Sequence, residues 1–410
     1  MSYARSPLPA AFWSLWAGLL VNRFATFAVA FLPTFLVAER GVGPDQAGVL
    51  AALFGVGLTV AGLLGGVLAD RLGRKATMVG ALVAGAAAVL GLTAVRSLQA
   101  LAALTFLAGA AGESYRPAQS AAVADLTRPE DRARAYGLVY WGVNVASAAG
   151  MAAAALVARR SLRALFVADA ATSLAFALWI LLRVPETRPA AHASARAAAR
   201  GIGPLLGDVQ YLVFLGLQLA TLVVFAQWQL GLQLDMRAHG LGPDDYALVV
   251  ALNCAAVAVL QPLLAPRLRG VDDTHLLMAM AALVGAGFGV NALGGTLPWY
   301  VAGTTLWTLG EIVGIPTAAT MVARFAPPAL RGRYQGAYSM VWGAALTLGP
   351  LLAGQVMARA GGRALWIGCG VVAAGVVVGQ GLAAGPRRRR LGAEPEAAPL
   401  HARRPADRAP

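Results

Sequence analysis

The sequence predicts an all-α integral membrane protein with twelve membrane-spanning helices in two six-helix halves. Of its 410 residues, 58% are hydrophobic and only 13% are charged, whereas soluble domains carry about 25% charged residues. Apolar runs close to the ~20 residues that a bilayer requires follow one another along the chain. A set of residues from the first half also recurs at a constant interval in the second half.

The apolar runs predict the spans one by one. The twelve predicted spans cover residues 12–38, 45–69, 77–95, 98–117, 136–158, 163–183, 210–234, 243–266, 275–295, 298–320, 336–358 and 363–384. Most of the 33 Arg and Lys residues fall in the segments on one side of these spans. The excess of cations marks that side as cytoplasmic. We therefore expect a multi-pass protein of the cell (inner) membrane with both termini in the cytoplasm.

The internal repeat relates the two halves. Pro117, Arg132, Arg134, Gly137 and Gly150 recur 199 residues later as Pro316, Arg331, Arg333, Gly336 and Gly349. Parallel repeats with the substrate bound between them are found in secondary transporters. We predict an N-terminal half at 1–183, a cytoplasmic linker at 184–205, a C-terminal half at 206–386 and a disordered basic tail at 387–410. The four arginines that open the tail are expected to bind anionic lipid headgroups.

The segment between spans 2 and 3 carries the most distinctive motif. It comprises a small residue, a carboxylate and three cations around a tight turn, namely Gly66, Asp70, Arg71, Gly73, Arg74 and Lys75. Small residues allow another helix to approach closely, and glycine permits the backbone conformation of a tight turn. The pattern G-x-x-x-D-R-x-G-R-K resembles the loop between helices 2 and 3 of the major facilitator superfamily of transporters. The alternative is an ordinary basic loop.

This resemblance implies the major facilitator fold and a conformational latch. The latch would consist of the motif and Asp125, at the cytoplasmic end of span 4. The resemblance implies that an Asp70–Arg74–Asp125 charge cluster holds helix 2 against helices 4 and 11 when the cavity opens outward. Such a cluster must be partly buried to matter, because solvent-exposed ion pairs contribute little.

Ionisable residues within the spans are candidates for proton coupling, because a charge in the bilayer is costly. Glu113 and Arg116 are three residues apart in span 4, and Glu311 lies in span 10 with no cation nearby in sequence. An isolated carboxyl group in a low-dielectric cavity can exchange a proton near neutral pH. We therefore expect Glu311 to couple the proton and Glu113 to act as a gating charge. Alternatively, Glu113 and Arg116 form a purely structural pair.

The resemblance also implies that spans 1, 4, 7 and 10 line a central cavity. Together with the polar stripe of span 5, these spans supply the substrate-cavity candidates Asn22, Arg23, Phe27, Tyr140, Asn144, Gln227, Trp228 and Trp307. Asp169 in span 6 is expected to face a neighbouring helix or to pair with an arginine outside that span, so it is not assigned to the cavity.

These features favour proton-coupled export of an amphipathic small molecule by alternating access. The aromatic, weakly charged cavity suits such a substrate. Two departures from the family pattern matter here: Gly150-Met151 stands where its exporters usually have Gly-Pro, which counts against export, and Asn22 stands where many have a carboxylate, which shifts proton coupling to Glu113 or Glu311. Uptake of a small metabolite is the alternative, and a transporter-fold sensor is a weaker one.

Other classes of function have no support in the sequence. The only lysine, Lys75, lies in no phosphate-binding loop, and no span pair has a metal-ligand or nucleophile arrangement. We therefore expect no enzyme activity, cofactor, metal or nucleic acid. The expected partners are a small-molecule substrate, protons and membrane lipids, and the expected state is a monomer.

Overall fold

Apart from short 3-10 turns, the regular structure of the described residues is α-helical. The computed structural model describes residues 7–24, 28–158, 160–188 and 203–392. The helices in that part of the chain are α1 (Ala10–Phe24), α2 (Ala28–Arg40), α3 (Pro44–Leu72), α4 (Arg74–Leu92), α5 (Leu98–Ala110), α6 (Tyr115–Leu126), α7 (Arg132–Ala158), α8 (Leu162–Arg183), α9 (Gly203–Leu206), α10 (Val209–Phe225), α11 (Gly231–Ala238), α12 (Pro243–Leu264), α13 (Asp273–Gly289), α14 (Leu297–Phe325) and α15 (Arg331–Gly392).

Eight helical segments in these ranges are long and apolar enough to cross a membrane. They are Gln46–Leu72, Arg74–Leu92, Leu162–Arg183, Val209–Ala238, Asp244–Leu264, Asp273–Ala292, Leu297–Phe325 and Pro328–Gly392. Their outward faces expose large apolar side chains such as Leu182, Val371 and Leu382. A soluble protein rarely exposes so much apolar surface, whereas lipid accommodates it. Helices also satisfy their own backbone hydrogen bonds in a medium without water. The count of twelve spans remains a prediction.

Predicted span 4 is interrupted by a turn, and predicted span 1 is described only in part. Predicted span 1 comprises α1 and α2, which lie on either side of residues 25–27, outside the described residues. Predicted span 4 ends as a helix at Ala110, passes through a 3-10 turn at Gly112–Ser114 and resumes as α6. Pro117 lies in the first turn of α6, where its missing N–H is tolerated; it could not donate within a continuous helix.

Predicted spans 11 and 12 both lie within α15. Gly361 is non-helical, with φ of 78° and ψ of 170°, and it breaks α15 into two pieces. A positive φ is readily adopted by glycine, so a single residue makes the turn. The helix also continues through Arg387–Arg390 to Gly392, in contrast to the disorder predicted from residue 387. Arg387 is buried and donates to Gln380, while Arg390 donates to Asp208, so protein contacts order this segment.

The helices of the two predicted halves meet along two seams. At the first, α3 packs along the beginning of α15, and at the second α7 packs against α12 and α14. The turn Pro129–Asp131 and the start of α7 at Arg132 recur as Pro328–Leu330 and Arg331, again 199 residues later. These seams position the groups described next.

Candidate functional site

The predicted latch residues lie together at one end of the first seam. Asp70, which is 2% exposed, accepts hydrogen bonds from the backbone N–H groups of Gly332 at 2.9 Å and Arg333 at 3.0 Å. These donors open α15, where unpaired N–H groups favour an anion. Arg74 lies 3.4 Å from Asp70 and 3.1 Å from Asp125 (N to O). One carboxylate thus joins the end of α3 to the beginning of α15.

The close approach of α3 and α15 depends on glycines in both helices. A Cβ atom on Gly62 would lie 2.8 Å from the backbone oxygen of Gly336 and 2.8 Å from the nitrogen of Met340. Gly66 and Gly332 are opposed in the same way one turn further along. Real Cβ atoms do not approach backbone atoms this closely, so side chains at these positions would separate the helices. Gly66 therefore makes the helix contact predicted from its size.

The turn between α3 and α4 is formed by Gly73, whose φ is 109°. The Glu186 carboxylate accepts from the first backbone N–H groups of α4, those of Arg74 at 2.9 Å and Lys75 at 3.1 Å. Arg188 donates to the carbonyl of Arg71 at 2.6 Å. The start of the predicted linker is thus attached to the motif.

The sequence analysis did not predict two residues of this cluster to belong to the latch. Arg331 forms an ion pair with Asp125, and Glu186 caps α4. The repeat had already singled out Arg331, and Glu186 is the only carboxylate in 184–205. The sequence did not show that Arg331 pairs with Asp125 or that Glu186 caps α4, because these partners lie far apart in the chain.

Glu311 lies at the second seam. It is 3% exposed and accepts hydrogen bonds from the Tyr140 hydroxyl of α7 and from Asn253 Nδ2 of α12, the latter at 2.7 Å. Asn253 also donates to Thr308 Oγ1 at 3.0 Å. Within the described ranges, Glu311 has no ion-pair partner. Each of its carboxylate oxygens therefore accepts from a different helix, and one of these belongs to the predicted N-terminal half.

The Glu311 contacts extend along the seam between α7 and α12. Gln261 donates to the carbonyl of Gly137 at 2.7 Å, and Trp141 donates to the carbonyl of Ala258 at 2.8 Å. Asn253 was missed by the sequence analysis, although a polar residue within an apolar span is itself a signal. Asn144 lies on the same helix as Tyr140 and donates to its carbonyl at 3.0 Å.

A second polar cluster lies inside the N-terminal helices. Glu113 forms an ion pair with Arg116, as its spacing predicted, and lies 3.8 Å from Arg23. Arg23 donates to the Tyr115 hydroxyl, and Asn22 Nδ2 donates to Ser173 Oγ at 3.0 Å. Asn22 and Arg23 are therefore held by polar partners within this half.

The same cluster adjoins a cavity of about 590 Å³, a volume that includes its open side. Asn22, Glu113, Tyr115, Asp169 and Ser173 line it, together with Thr105 and apolar side chains of α2, α3, α4 and α8. Asp169 thus lines this cavity, and it interacts electrostatically with Arg23, an arginine outside predicted span 6.

The remaining cavity candidates are dispersed. Trp307 is 3% exposed and packs against Phe225 and Phe288 in the apolar core of the C-terminal helices. Gln227 is buried and donates to the carbonyl of Gly349 at 3.2 Å. Both side chains are buried within the C-terminal helices, and their assignment to the substrate cavity stays a prediction. Trp228 is half-buried beside Tyr246, and Phe27 lies outside the described residues.

A further buried carboxylate was not anticipated. Asp235 of α11 accepts from the Tyr300 hydroxyl at 2.7 Å and from Trp366 Nε1 at 2.8 Å, joining α11, α14 and α15. Its partners satisfy it, which indicates a structural role. No group of three or more potential metal ligands occurs in the described ranges.

Comparison with known proteins places this architecture in a family. The profile of the Major Facilitator Superfamily matches residues 15–264 and 212–406. The chain is 25% identical over 314 residues to the MFS-type transporter YhjO of Bacillus subtilis (strain 168), covering 74% of this chain and 75% of YhjO. It is 26% identical over 303 residues to the multidrug resistance protein MdtH of Aeromonas hydrophila, covering 71% of this chain and 75% of MdtH.

A solved structure gives the same assignment for the fold. The human organic anion transporter MFSD10 superposes with a TM-score of 0.75 at 18% identity, covering 92% of this chain and all of MFSD10. The chain is therefore a multi-pass integral membrane transporter, not an enzyme, and belongs to the Major Facilitator Superfamily.

Proposed function

We propose that this transporter exports an amphipathic small molecule in exchange for protons, by alternating access between its two halves. The observation that carries the proposal is the position of Glu311. Its carboxylate is buried without an ion-pair partner among the described residues and accepts hydrogen bonds at the seam between α7 and α14. The similarity to the multidrug resistance protein MdtH supports export.

The hydrogen bonds of Glu311 link a proton to a movement. An ionised carboxylate accepts hydrogen bonds about twice as strong as those of a neutral group. Protonation of Glu311 therefore weakens the bond from Tyr140 and, with it, one contact between the two halves. Deprotonation restores that contact. Binding and release of a proton at Glu311 therefore change the contact between the two halves, as coupled transport requires.

The cluster of Asp70, Arg74 and Asp125 would act at the other seam and close one side of the transporter. Asp70 and Asp125 bind the start of α15 through Gly332 and Arg331, and Arg74 lies between the two carboxylates. We propose that these contacts close the cytoplasmic side, that both termini face the cytoplasm of the inner membrane and that the protein acts as a monomer. Opening to the cytoplasm then requires the Asp70 hydrogen bonds to break.

Purified protein in liposomes tests the role of Glu311. A panel of toxic compounds in an efflux-deficient host first identifies a transported compound. With that compound, Glu311→Gln is expected to abolish accumulation driven by a pH gradient while equilibrium exchange continues, since glutamine is neutral at every pH. Glu113→Gln is the comparison variant, at a second carboxylate of the predicted spans; as an expected gating charge its loss should slow transport but leave accumulation driven by the pH gradient in place.

Two results would contradict the assignment. If Glu311→Gln retains gradient-driven accumulation and Glu113→Gln loses it, the roles of the two carboxylates are reversed. If both variants retain it, neither carboxylate couples the proton, and transport without proton coupling becomes the better description.

A further inference from the structure

The second seam has no copy of the charged motif that joins α3 to α15 at the first. At the 199-residue interval of the repeat, Asp70 corresponds to Arg269, which has the opposite charge. Arg74 corresponds to Asp273, and Asp273 forms an ion pair with Arg324 of its own half. The contacts that hold α7 against α12 must therefore be of another kind.

A glutamine bridges the second seam where glycines meet in the first. At the same interval, Gly62 of α3 corresponds to Gln261 of α12, and Gly336 of α15 corresponds to Gly137 of α7. Gly62 packs directly on the backbone of Gly336, whereas Gln261 reaches the carbonyl of Gly137 with its side-chain amide, at 2.7 Å. A Cβ atom on Gly137 would meet only this amide, at 3.7 Å. The repeat thus keeps the position of the contact and replaces backbone packing by a hydrogen bond.

Pro262 provides a second bridging point next to Gln261. In a regular α-helix the N–H of residue 262 would donate to the carbonyl of residue 258, but proline has no N–H. The carbonyl of Ala258 accepts from Trp141 Nε1 of α7, at 2.8 Å. A donor from the other half therefore replaces the one that proline removes. Because the two bonds run in opposite directions across the seam, they fix the register of α7 on α12.

The burial of Gln261 indicates that its contact has a role beyond packing. Its side chain is 3% exposed, and its Oε1 has no hydrogen-bond partner among the described residues. A buried polar atom without a partner is costly, so its presence calls for an explanation. An apolar side chain of the same size would fill the space without this cost, but it could not donate to Gly137.

We propose that Gln261 and Trp141 form a second closing contact, which holds the cytoplasmic side shut at the second seam as the Asp70 cluster does at the first. The inference deepens the proposed function, because it rests on alternating access between the two halves. Separation of α7 from α12 would remove the donor of the Ala258 carbonyl, which opposes opening. Neither side chain ionises, so this contact persists when Glu311 gains or loses its proton.

A distance measured across the second seam tests the proposal. Spin labels replace Arg128 and Arg269, both exposed and near the adjoining ends of α7 and α12, in full-length protein in nanodiscs after both native cysteines are replaced. Trp141→Phe keeps an aromatic ring but removes the donor, and it should raise the ratio of cytoplasm-open to cytoplasm-closed protein about tenfold. Trp179→Phe is the matched control, because its indole donates to Ser14 within the N-terminal helices and should leave the ratio unchanged.

Pro262→Ala distinguishes the hydrogen bond from simple packing. Alanine restores an N–H at position 262, so the Ala258 carbonyl gains a donor within its own helix. In that background Trp141→Phe should change the ratio only about twofold, since the carbonyl is no longer left without a partner. An equal effect of Trp141→Phe in both backgrounds would overturn the proposed role of the Ala258 bond.

Gln261→Leu is the second variant, because it keeps the approximate size and removes the donor to Gly137; it should also favour the cytoplasm-open state. An unchanged distance distribution in monodisperse Trp141→Phe or Gln261→Leu protein would overturn the proposal. Asp70→Asn in the same labelled protein shows how far such a failure extends. If Asp70→Asn opens the cytoplasmic side, only the second closing contact is wrong; if it does not, the closure described under the proposed function is wrong as well.

Discussion

Substitution of Asp70 by asparagine provides the sharpest test of the cytoplasmic cluster. Asp70 accepts two backbone hydrogen bonds from the start of α15 and lies 3.4 Å from Arg74. Asparagine keeps the shape and one acceptor oxygen, but it has no charge, and its NH₂ group would face a backbone N–H. The variant therefore weakens one hydrogen bond and leaves one buried donor unpaired.

The magnitude follows from those two losses. A hydrogen bond to a charged group contributes about 1.5–3 kcal/mol and one between neutral groups about 0.5–1.5 kcal/mol, so its weakening costs about 1 kcal/mol. The unpaired donor costs a further ~2 kcal/mol. Together these losses amount to about 3 kcal/mol, or roughly a hundredfold change in an equilibrium constant. Asp70→Asn should shift the population toward the cytoplasm-open state by that factor and nearly abolish transport.

The assay measures a distance between the two halves. Spin labels at Leu72 and Arg269, both exposed, report opening by pulsed electron resonance in a background without Cys254 and Cys369. Glu130→Gln is the matched control, because it removes an exposed carboxylate from the same region. An inserted, monodisperse Asp70→Asn protein with the unmodified distance distribution and full transport would refute the latch.

Two further predictions concern packing and topology. Gly62→Ala should lower the free energy of unfolding by about 1–3 kcal/mol because its methyl group meets backbone atoms of α15. Gly55→Ala on the same helix, with nothing within 4 Å, should raise the free energy of unfolding slightly. Thermal unfolding in detergent compares the two variants, and equal effects would contradict the close-packing argument. A cysteine replacing Ser194 should react with a membrane-impermeant maleimide only from the cytoplasmic side, and labelling of intact cells from outside would invert the proposed orientation.

The sequence predicted the fold where one physical requirement dominates. Backbone polar groups in lipid must be paired within the protein, so apolar runs form helices, and the small residue Gly66 indicated a close helix contact. The sequence did not predict local interruptions of helices such as the 3-10 turn at Gly112–Ser114. Such a turn depends on the packing of neighbouring helices, which a hydropathy pattern does not contain.

The residue types in the sequence identified members of the candidate site, but they showed only part of which residues contact one another. Glu311 stood out because a carboxylate within a span is costly, yet its partners Tyr140 and Asn253 come from other helices. Trp307 was a cavity candidate because it lies in predicted span 10, and the sequence did not show its contacts with Phe225 and Phe288 of other helices. The spacing of residues in the sequence predicts which side chains are neighbours on one helix, but it does not predict contacts between helices.

The bond between Asp70 and α15 also has an evolutionary consequence. Its donors are the backbone N–H groups of Gly332 and Arg333, and only a proline can remove a backbone N–H. Most side-chain changes at position 333 would leave the donor intact, whereas any change at Asp70 alters the acceptor. Genetic drift can therefore alter these two hydrogen bonds mainly from the α3 side, whereas a change at position 333 removes only the Arg333 guanidinium, which lies 3.9 Å from the Asp70 carboxylate.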